Sequence, residues 1–461
     1  MPNSEEQAAS GQQLWSLALV AVCLGYFMVI LDTTVVNVAL PALGRDLHAG
    51  VSGLQWVVDG YLLMLAALIL SGGVLADRAG ARRIFQIGLG LFVVASAVCG
   101  LAQDVVVLVA ARLIQGAGAS LLVPASLSLL RAAFLDTGTR ARAVGIWGSI
   151  AGIGAGAGPI LGGLLVSAVS WRLVFFVNLP IGLGVMALTA RHVPAPDPRP
   201  RHLDPIAQLL GVLALAALTI ALIEGGSDGL TPLVLAAAAV FVIGAGAFVI
   251  IETKIPNPML PLGLFANHAF LGGNVIGLLI NLGFYGELFV INLYFQEILG
   301  YSALVAGLAL LPQVGVLWAG SALSGRVTAR AGSPRPTLLV GLVVGGAGLL
   351  ALLVAGAHPH YLLLVVPLVA AGFGMSFTMP AATTAVVDGA PAERAGLASG
   401  AINAARQVGG VVGVALLGAL VAGPRPGFML GFHIAVVIAG LAFLTGAAIA
   451  AVTVPGREAR A

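Results

Sequence analysis

A chain of 461 residues that is 59% hydrophobic, holds 63 glycines and is only 8% charged cannot cover a globule of its size with polar groups, because soluble chains carry roughly 25% charge. A water-soluble enzyme and an intrinsically disordered chain are both excluded, and a mean hydropathy of +1.07 leaves a polytopic all-α membrane protein. The net charge of +3 comes from arginines spread over short loops, without the dense basic tract interleaved with aromatics that nucleic acid requires.

Residues 1–13 contain Glu5 and Glu6 and no basic residue, so they read as a cytoplasmic tail and not as the positive leader of a signal peptide. Crossing a hydrocarbon layer of ~30 Å takes about 20 apolar residues. Runs of that order lie at 14–38, 53–75, 84–103, 105–130, 143–168 and 173–190. Two more follow at 205–223 and 231–251, then six at 269–295, 302–323, 337–356, 361–382, 396–421 and 430–453. The total is fourteen, with the least sharp boundaries at 104 and near 300. Of the loop cations, sixteen Arg or Lys fall on one set of alternating loops, and Arg45, Arg172 and Arg425 on the other. The positive-inside rule then places both termini in the cytoplasm. Cys23 and Cys99 sit inside apolar runs and read as buried free thiols. The excess of Arg over Lys254, the sole lysine, and the wealth of Ala and Gly suit a GC-rich bacterial genome and a bacterial cell membrane.

The segment Gly116-Ala-Gly118-Ala-Ser120-Leu-Leu-Val-Pro124 recurs 256 residues later as Gly372-Phe-Gly374-Met-Ser376-Phe-Thr-Met-Pro380. Asp77-Arg78-Ala79-Gly80 has a weaker echo in Ala329-Arg330-Ala331-Gly332, and Arg142 in Arg394, both at an offset of 252. Ordered matches at such similar offsets point to duplication. The chain divides into a tail (1–13), a six-helix lobe (14–190), a linker with two inserted helices (191–268), a second six-helix lobe (269–453) and a tail (454–461).

Residues 73–83, Gly-Val-Leu-Ala-Asp-Arg-Ala-Gly-Ala-Arg-Arg, fill the loop between the second and third spans. Gly73 and Gly80 give tight backbone around Asp77 and Arg78, and Arg82 adds charge. An Asp there can cap a helix across a lobe interface and form a latch. At these residues the chain resembles the major facilitator superfamily, whose loop signature is G-x-L-A-D-R-x-G-x-[KR]-[KR]. The resemblance implies that superfamily's fold, here two six-helix lobes plus two inserted helices, and a transporter rather than an enzyme. The echo replaces the signature Asp by Ala329, which implies a weaker latch in the second lobe.

Arg112, Gln115, Gly116 and Ala119 share one face of the fourth span, and an Arg inside a span must face a wet or paired interior or snorkel from a helix end. The segment resembles the family's R-x-x-Q-G motif, to which a role in proton transfer is attributed. Gly154, Gly158, Pro159, Gly162 and Gly163 suit close helix packing and a hinge. They are also similar to the superfamily's antiporter signature, which implies export. Leu31-Asp32-Thr33-Thr34-Val-Val-Asn37 through Pro41, Trp171-Arg172 through Asn178-Leu-Pro180, and Ser399 through Asn403, Arg406 and Gly409 resemble the 14-helix drug:proton antiporters. The chain is identified as a member of that family.

The ionisable residues within spans are few, and four are candidates for proton coupling: Asp32, Asp59, Arg112 and Glu287. A carboxylate in a low-dielectric cavity can load and release protons near neutral pH. Asp32 and Asp59 are equally open to a plainer reading as solvated rim charges, whereas Glu287 is mid-span. Tyr61, Trp147, Phe284, Tyr285, Tyr294, Trp318, Phe377, Asn403 and Arg406 are candidates for a substrate cavity, and any of the aromatics could equally be packing. The expected activity is efflux of hydrophobic, often cationic, drugs or antibiotics in exchange for protons by alternating access. Alternatives are a dedicated exporter of one metabolite and, against the antiporter signature, an uptake symporter. No nucleotide-binding loop and no ligand-spaced His or Cys set occur, so no cofactor or metal is expected. The expected partners are the lipid bilayer, protons and the cargo, with the protein as a monomer.

Overall fold

The computed structural model describes residues 4–134, 137–195, 204–255, 258, 260–356, 360–391, 394–422 and 425–456. Loop cations Arg199, Arg201, Arg457 and Arg460 lie outside the described residues. Every regular element among the described residues is helical. The spans are α1 (Leu17–Asp46), α2 (Val51–Ala79), α3 (Ala81–Leu101), α4 (Val105–Ala133), α5 (Ala143–Ala168) and α6 (Leu173–His192). Then come α7 (Pro205–Asp228), α8 (Pro232–Lys254) and α9 (His268–Ile298). The tenth, α10, is a bent pair, Ala303–Ala309 and Leu311–Ala331, followed by α11 (Arg335–Val354), α12 (Leu362–Asp388), α13 (Ala395–Leu420) and α14 (Gly427–Thr453).

Polar residues set the boundaries. Asp104 caps α4 by accepting from the Val107 N–H at 2.9 Å, which fixes the division at 104. Asp204 caps α7 ahead of Pro205, and Thr231 caps α8 ahead of Pro232, a pairing in which the Pro occupies a position whose N–H is not needed. Near 300 the chain does not simply stop. It passes through a wide turn at Tyr294–Ile298 and a left-handed Gly300 (φ 68°) before Ser302 caps α10. The single apolar run expected at 302–323 is in fact two helices meeting at 43°. Pro312 stands at the start of the second and cannot continue the ladder of the first. Among the described residues the fourteen expected spans are therefore thirteen unbroken helices and one broken one.

The first lobe is built on α2 against α4, α3 against α4 and α1 against α5; the second on α9 against α13, α11 against α12 and α9 against α14. The duplicated glycines make duplicated contacts. A Cβ at Gly116 would strike the Tyr61 carbonyl, and one at Gly372 would strike the Gln313 carbonyl. Gly118 meets Gly88 and Phe92, and Gly374 meets Gly341 and Gly345. Small residues are what permit such backbone approach where no hydrophobic effect drives helices together. Gly80 (φ 91°) and its echo Gly332 (φ 66°) both turn the chain in the left-handed region that favours glycine.

The inserted helices lie to one side. α7 packs on α2 of the first lobe and α13 of the second, while α8 packs mainly on α7 and exposes Val242 and Ile243. To α2 the attachment is polar: Trp56 Nε1 donates to Glu224 at 2.8 Å, and Gln208 donates to the Ala67 carbonyl at 2.6 Å and pairs with Ser71. Against α13 the contact is close and apolar, with Gly226 facing Ala419.

Candidate functional site: buried charges and the lobe interface

Four helices of the first lobe converge on Asp32 of α1. Arg112 NH1 on α4 donates to Asp32 Oδ2 at 2.5 Å, and Gln115 Nε2 and Asn178 Nδ2 each donate to Oδ1 at 2.9 Å. Arg112 Nε also donates to the Val57 carbonyl of α2 at 2.9 Å, and NH1 reaches Gln115 Oε1 at 2.8 Å. Its guanidinium lies 4.3 Å from the centroid of the Tyr61 ring. Ser96 of α3 accepts from Asn178 at 3.0 Å and donates to the Phe175 carbonyl at 2.9 Å. Asp32 is 0% exposed and Arg112 1%, so the rim reading of Asp32 and the snorkelling reading of Arg112 are both set aside. A buried pair with this many supporting hydrogen bonds is the arrangement in which two charges tolerate low dielectric.

The other two acids stand apart from this network. Asp59 on α2 is 0% exposed, which removes its rim reading, and neither carboxyl oxygen has a hydrogen-bond partner among the described residues. Glu287 on α9 is 1% exposed. Its Oε2 accepts from Gln313 Nε2 at the bend of α10, at 2.6 Å, and its Oε1 has no partner among the described residues. Glu287 lies 255 positions after Asp32 and Gln313 lies 252 after Tyr61, offsets close to those of the repeat.

Between the lobes, Tyr26 of α1 and Trp147 of α5 stack at 3.9 Å, and Trp147 Nε1 donates to Ser126 at 3.0 Å. Across from them Tyr285 of α9 meets Phe284 edge-on. Arg406 of α13 lies 3.4 Å from Asn403 Oδ1 and 3.3 Å from the Met379 sulfur of α12. Phe377 stacks on Phe373 inside the second lobe. Trp318 is exposed at the seam of α5 and α10, beside Gly152. Of the aromatics considered for a cavity, Tyr61, Phe284, Tyr294 and Phe377 are buried, the packing alternative allowed for them. Tyr61 is sealed under Arg112, and Tyr294 packs on Phe432 with its hydroxyl donating to the Gly356 carbonyl at 2.7 Å. Tyr26 was not singled out in the sequence; its aromatic character one turn before Ile30 was the available signal.

The Gly-Pro motif of α5 packs two ways. Gly158 and Gly162 lie against Thr34 and Val35 of α1, Gly154 against Phe27 and Ile30, and Gly163 against Ala303 and Leu304 of α10. The Pro159 carbonyl in turn faces Gly307. The expected loop 73–83 is the end of α2 and the start of α3, turned at Gly80 alone; there Ser128 donates to Asp77 at 3.5 Å, Gly73 lies beside Pro124, Arg78 is exposed and Arg82 donates to the Ala190 carbonyl. Each of these contacts is within the first lobe.

Further side chains join the lobes at the face carrying the α1–α2 loop. Gln55 Nε2 donates to the carbonyls of Val414 and Ala415 at 3.0 and 2.8 Å, and Gln296 Nε2 donates to the Val38 carbonyl at 3.0 Å. The Leu304 N–H donates to Ser167 at 3.2 Å, and Arg45 pairs with Glu297 at 3.6 Å. That face is closed.

A family model described as Major Facilitator Superfamily matches residues 22–414 and 291–461. The chain is 39% identical over 430 residues to a methylenomycin A resistance protein of Streptomyces coelicolor, covering 93% of this chain and 90% of that one. It is 40% identical over 411 residues to the multidrug resistance protein Stp of Mycobacterium tuberculosis, covering 88% and 76%. The fold is similar to the crystal structure of a peptide transporter, POT, with a TM-score of 0.70 at 15% identity over 96% of this chain and 97% of that one. With two six-helix lobes, a repeated glycine register and these relatives, the chain belongs to the Major Facilitator Superfamily, a family of membrane transporters.

Proposed function

We propose that this protein exports hydrophobic antibiotic-like compounds across a bacterial cell membrane in exchange for inward-moving protons. The observation that carries the reading is the set of acids buried in spans: Asp32 fully paired with Arg112, and Asp59 and Glu287 left with unpartnered oxygens. A buried carboxyl without partners is tolerated when it holds a proton and must find a new environment to release it. Rocking of two lobes supplies that change of environment. Relatives named for resistance to methylenomycin A, to multiple drugs and to tetracenomycin C support drug export as the direction.

The sixteen-to-three loop asymmetry puts the closed face outside and both termini in the cytoplasm. The conformation described then has its outer face joined across the lobes by Gln55, Gln296 and Ser167. The chain works as a monomer, since one copy contains both lobes. Everted vesicles carrying an inside-acid gradient test the reading. Addition of ethidium or 2-naphthoate to the wild type should release protons from the lumen, and a variant with Asp32→Asn, Asp59→Asn and Glu287→Gln should not. Equal proton release by the triple variant would refute the coupling, and release by neither probe in the wild type would refute export of such compounds.

A further inference from the structure

Two arginines sit inside spans, and they are satisfied very differently. Arg112 is matched to a carboxylate, a carbonyl, an amide oxygen and an aromatic face. Arg406 takes part in none of the ion pairs among the described residues. It reaches an amide oxygen of its own helix at 3.4 Å and a thioether sulfur at 3.3 Å, and its Nε is buried with no partner among the described residues. A guanidinium carries five N–H donors and no acceptor, so most of its capacity is unspent. Gly277 of α9 leaves room for its stem. Tyr285 of α9 packs against Gly410, one turn along α13 from Arg406, and Tyr26 of α1 belongs to the other lobe. The Tyr26–Trp147 stack supplies a flat apolar wall. Arg406, Tyr26, Tyr285 and Trp147 are each only partly buried, as groups bordering an open space would be.

We infer that Arg406 is the charge-recognising residue of the cargo site, and that the cargo is a hydrophobic compound bearing a carboxylate or similar delocalised oxyanion. The planar fork matches a carboxylate in two parallel hydrogen bonds, and each phenol adds an O–H donor. Of the acids a cationic cargo could use, Asp32 already accepts from Arg112, Gln115 and Asn178, and Asp59 and Glu287 are 0% and 1% exposed. This inference rests on the export reading above but is tested apart from it.

The first experiment is equilibrium dialysis of the protein in nanodiscs, with empty nanodiscs subtracted, against 2-naphthoate, its methyl ester and 2-naphthyltrimethylammonium. Wild type should bind naphthoate at least tenfold more tightly than either matched probe. Arg406→Gln should erase that preference, and Arg406→Lys, which keeps the charge but not the fork, should retain part of it. Should the Gln variant fail to insert, the three-probe comparison on wild type decides alone. Equal binding of all three probes, tighter binding of the ammonium, or an unchanged preference in Arg406→Gln would overturn the inference.

The second experiment separates class from export. One-for-one exchange with a proton moves two charges for an anion and none for a cation. In proteoliposomes a potential alone should therefore accumulate naphthoate and not the ammonium, each charge contributing roughly fiftyfold per 100 mV. Preferential binding without transport would sink the export reading and leave the anion class standing. Transport of the ammonium without naphthoate binding would do the reverse.

Discussion

Replacing Arg112 with Met is the most severe single change the first-lobe network should show, and its cost can be reasoned from the contacts. The substitution keeps an unbranched apolar stem but removes the guanidinium, leaving the Asp32 carboxylate with two neutral amide donors, Gln115 and Asn178, in a site that is 0% exposed. Removing one partner of a buried pair typically costs about 3–5 kcal/mol because the other charge is left uncompensated. Asp32→Asn is milder, at about 1–2 kcal/mol, since Arg112 keeps the Val57 carbonyl, the Gln115 oxygen and the Tyr61 face. The double variant carries no orphaned charge and should lie near the Asn variant alone, which makes the coupling about 3–5 kcal/mol in the stabilising direction. Reversible unfolding in mixed detergent micelles, followed by tryptophan fluorescence, measures all three. Strict additivity, or an Arg112→Met variant within about 0.5 kcal/mol of wild type, would mean that Asp32 and Arg112 do not share one charge environment.

The register glycines should be equally unforgiving in both lobes: Gly116→Ala and Gly372→Ala each push a methyl into a backbone carbonyl and should destabilise by about 1–3 kcal/mol in the same unfolding assay. Gln55→Leu removes two hydrogen bonds to α13; at about 0.6 kcal/mol each in membranes this should shift the balance toward the other conformation roughly eightfold. Spin labels at Gln103 and His360, both exposed, would read it as a gain in the longer distance. The inserted pair should travel with the first lobe, so a disulfide joining Ala67→Cys to Gln208→Cys should leave transport intact. One joining Gly226→Cys to Ala419→Cys should stop it, because that contact is the one that must slide.

Much of the fold was legible because its cause is local. Apolar length fixed where helices lie, and Asp104, Asp204, Thr231 and Ser302 mark their starts with side chains that take up free N–H groups. The duplication was legible because carbonyl-to-glycine approach leaves no tolerance for another residue, so Gly116 and Gly372 carry the same constraint in letters. The bend in α10 was not, although Pro312 was in view, because prolines at 41, 124 and 380 sit inside helices that pass the same test unbroken. The site was half legible. Arg112 and Gln115 announce themselves by spacing, but that Asn178 and Ser96 complete the Asp32 shell depends on helices three and six meeting there, which no periodicity records. Tyr61 and Tyr294 stayed open between cavity and packing for the same reason: an aromatic residue on a span looks alike in sequence whether it borders a cavity or another helix.

The closed face also explains why so small a charge transfer suffices to work the machine. The contacts that hold it are the two bonds of Gln55, those of Gln296 and Ser167, and a largely exposed Arg45–Glu297 pair. With hydrogen bonds at about 0.6 kcal/mol and a surface pair at no more than about 1, they amount together to about 3 kcal/mol. The apolar contacts at the same seam, Gly163 on Ala303 and Gly307 on Pro159, are backbone approaches that separate without stranding a charge. A carboxyl whose proton affinity differs between the two conformations by two pH units supplies about 2.7 kcal/mol. Protonation of a single acid can therefore rebalance the lobes. A ligand that binds the two states unequally by a similar amount can do so in the opposite sense. If the closed face were held by tens of kcal/mol, neither could act. The spin-label distances offer the check: with Arg45 and Gln55 both replaced by Ala, the two conformations should approach equal population in the absence of any cargo.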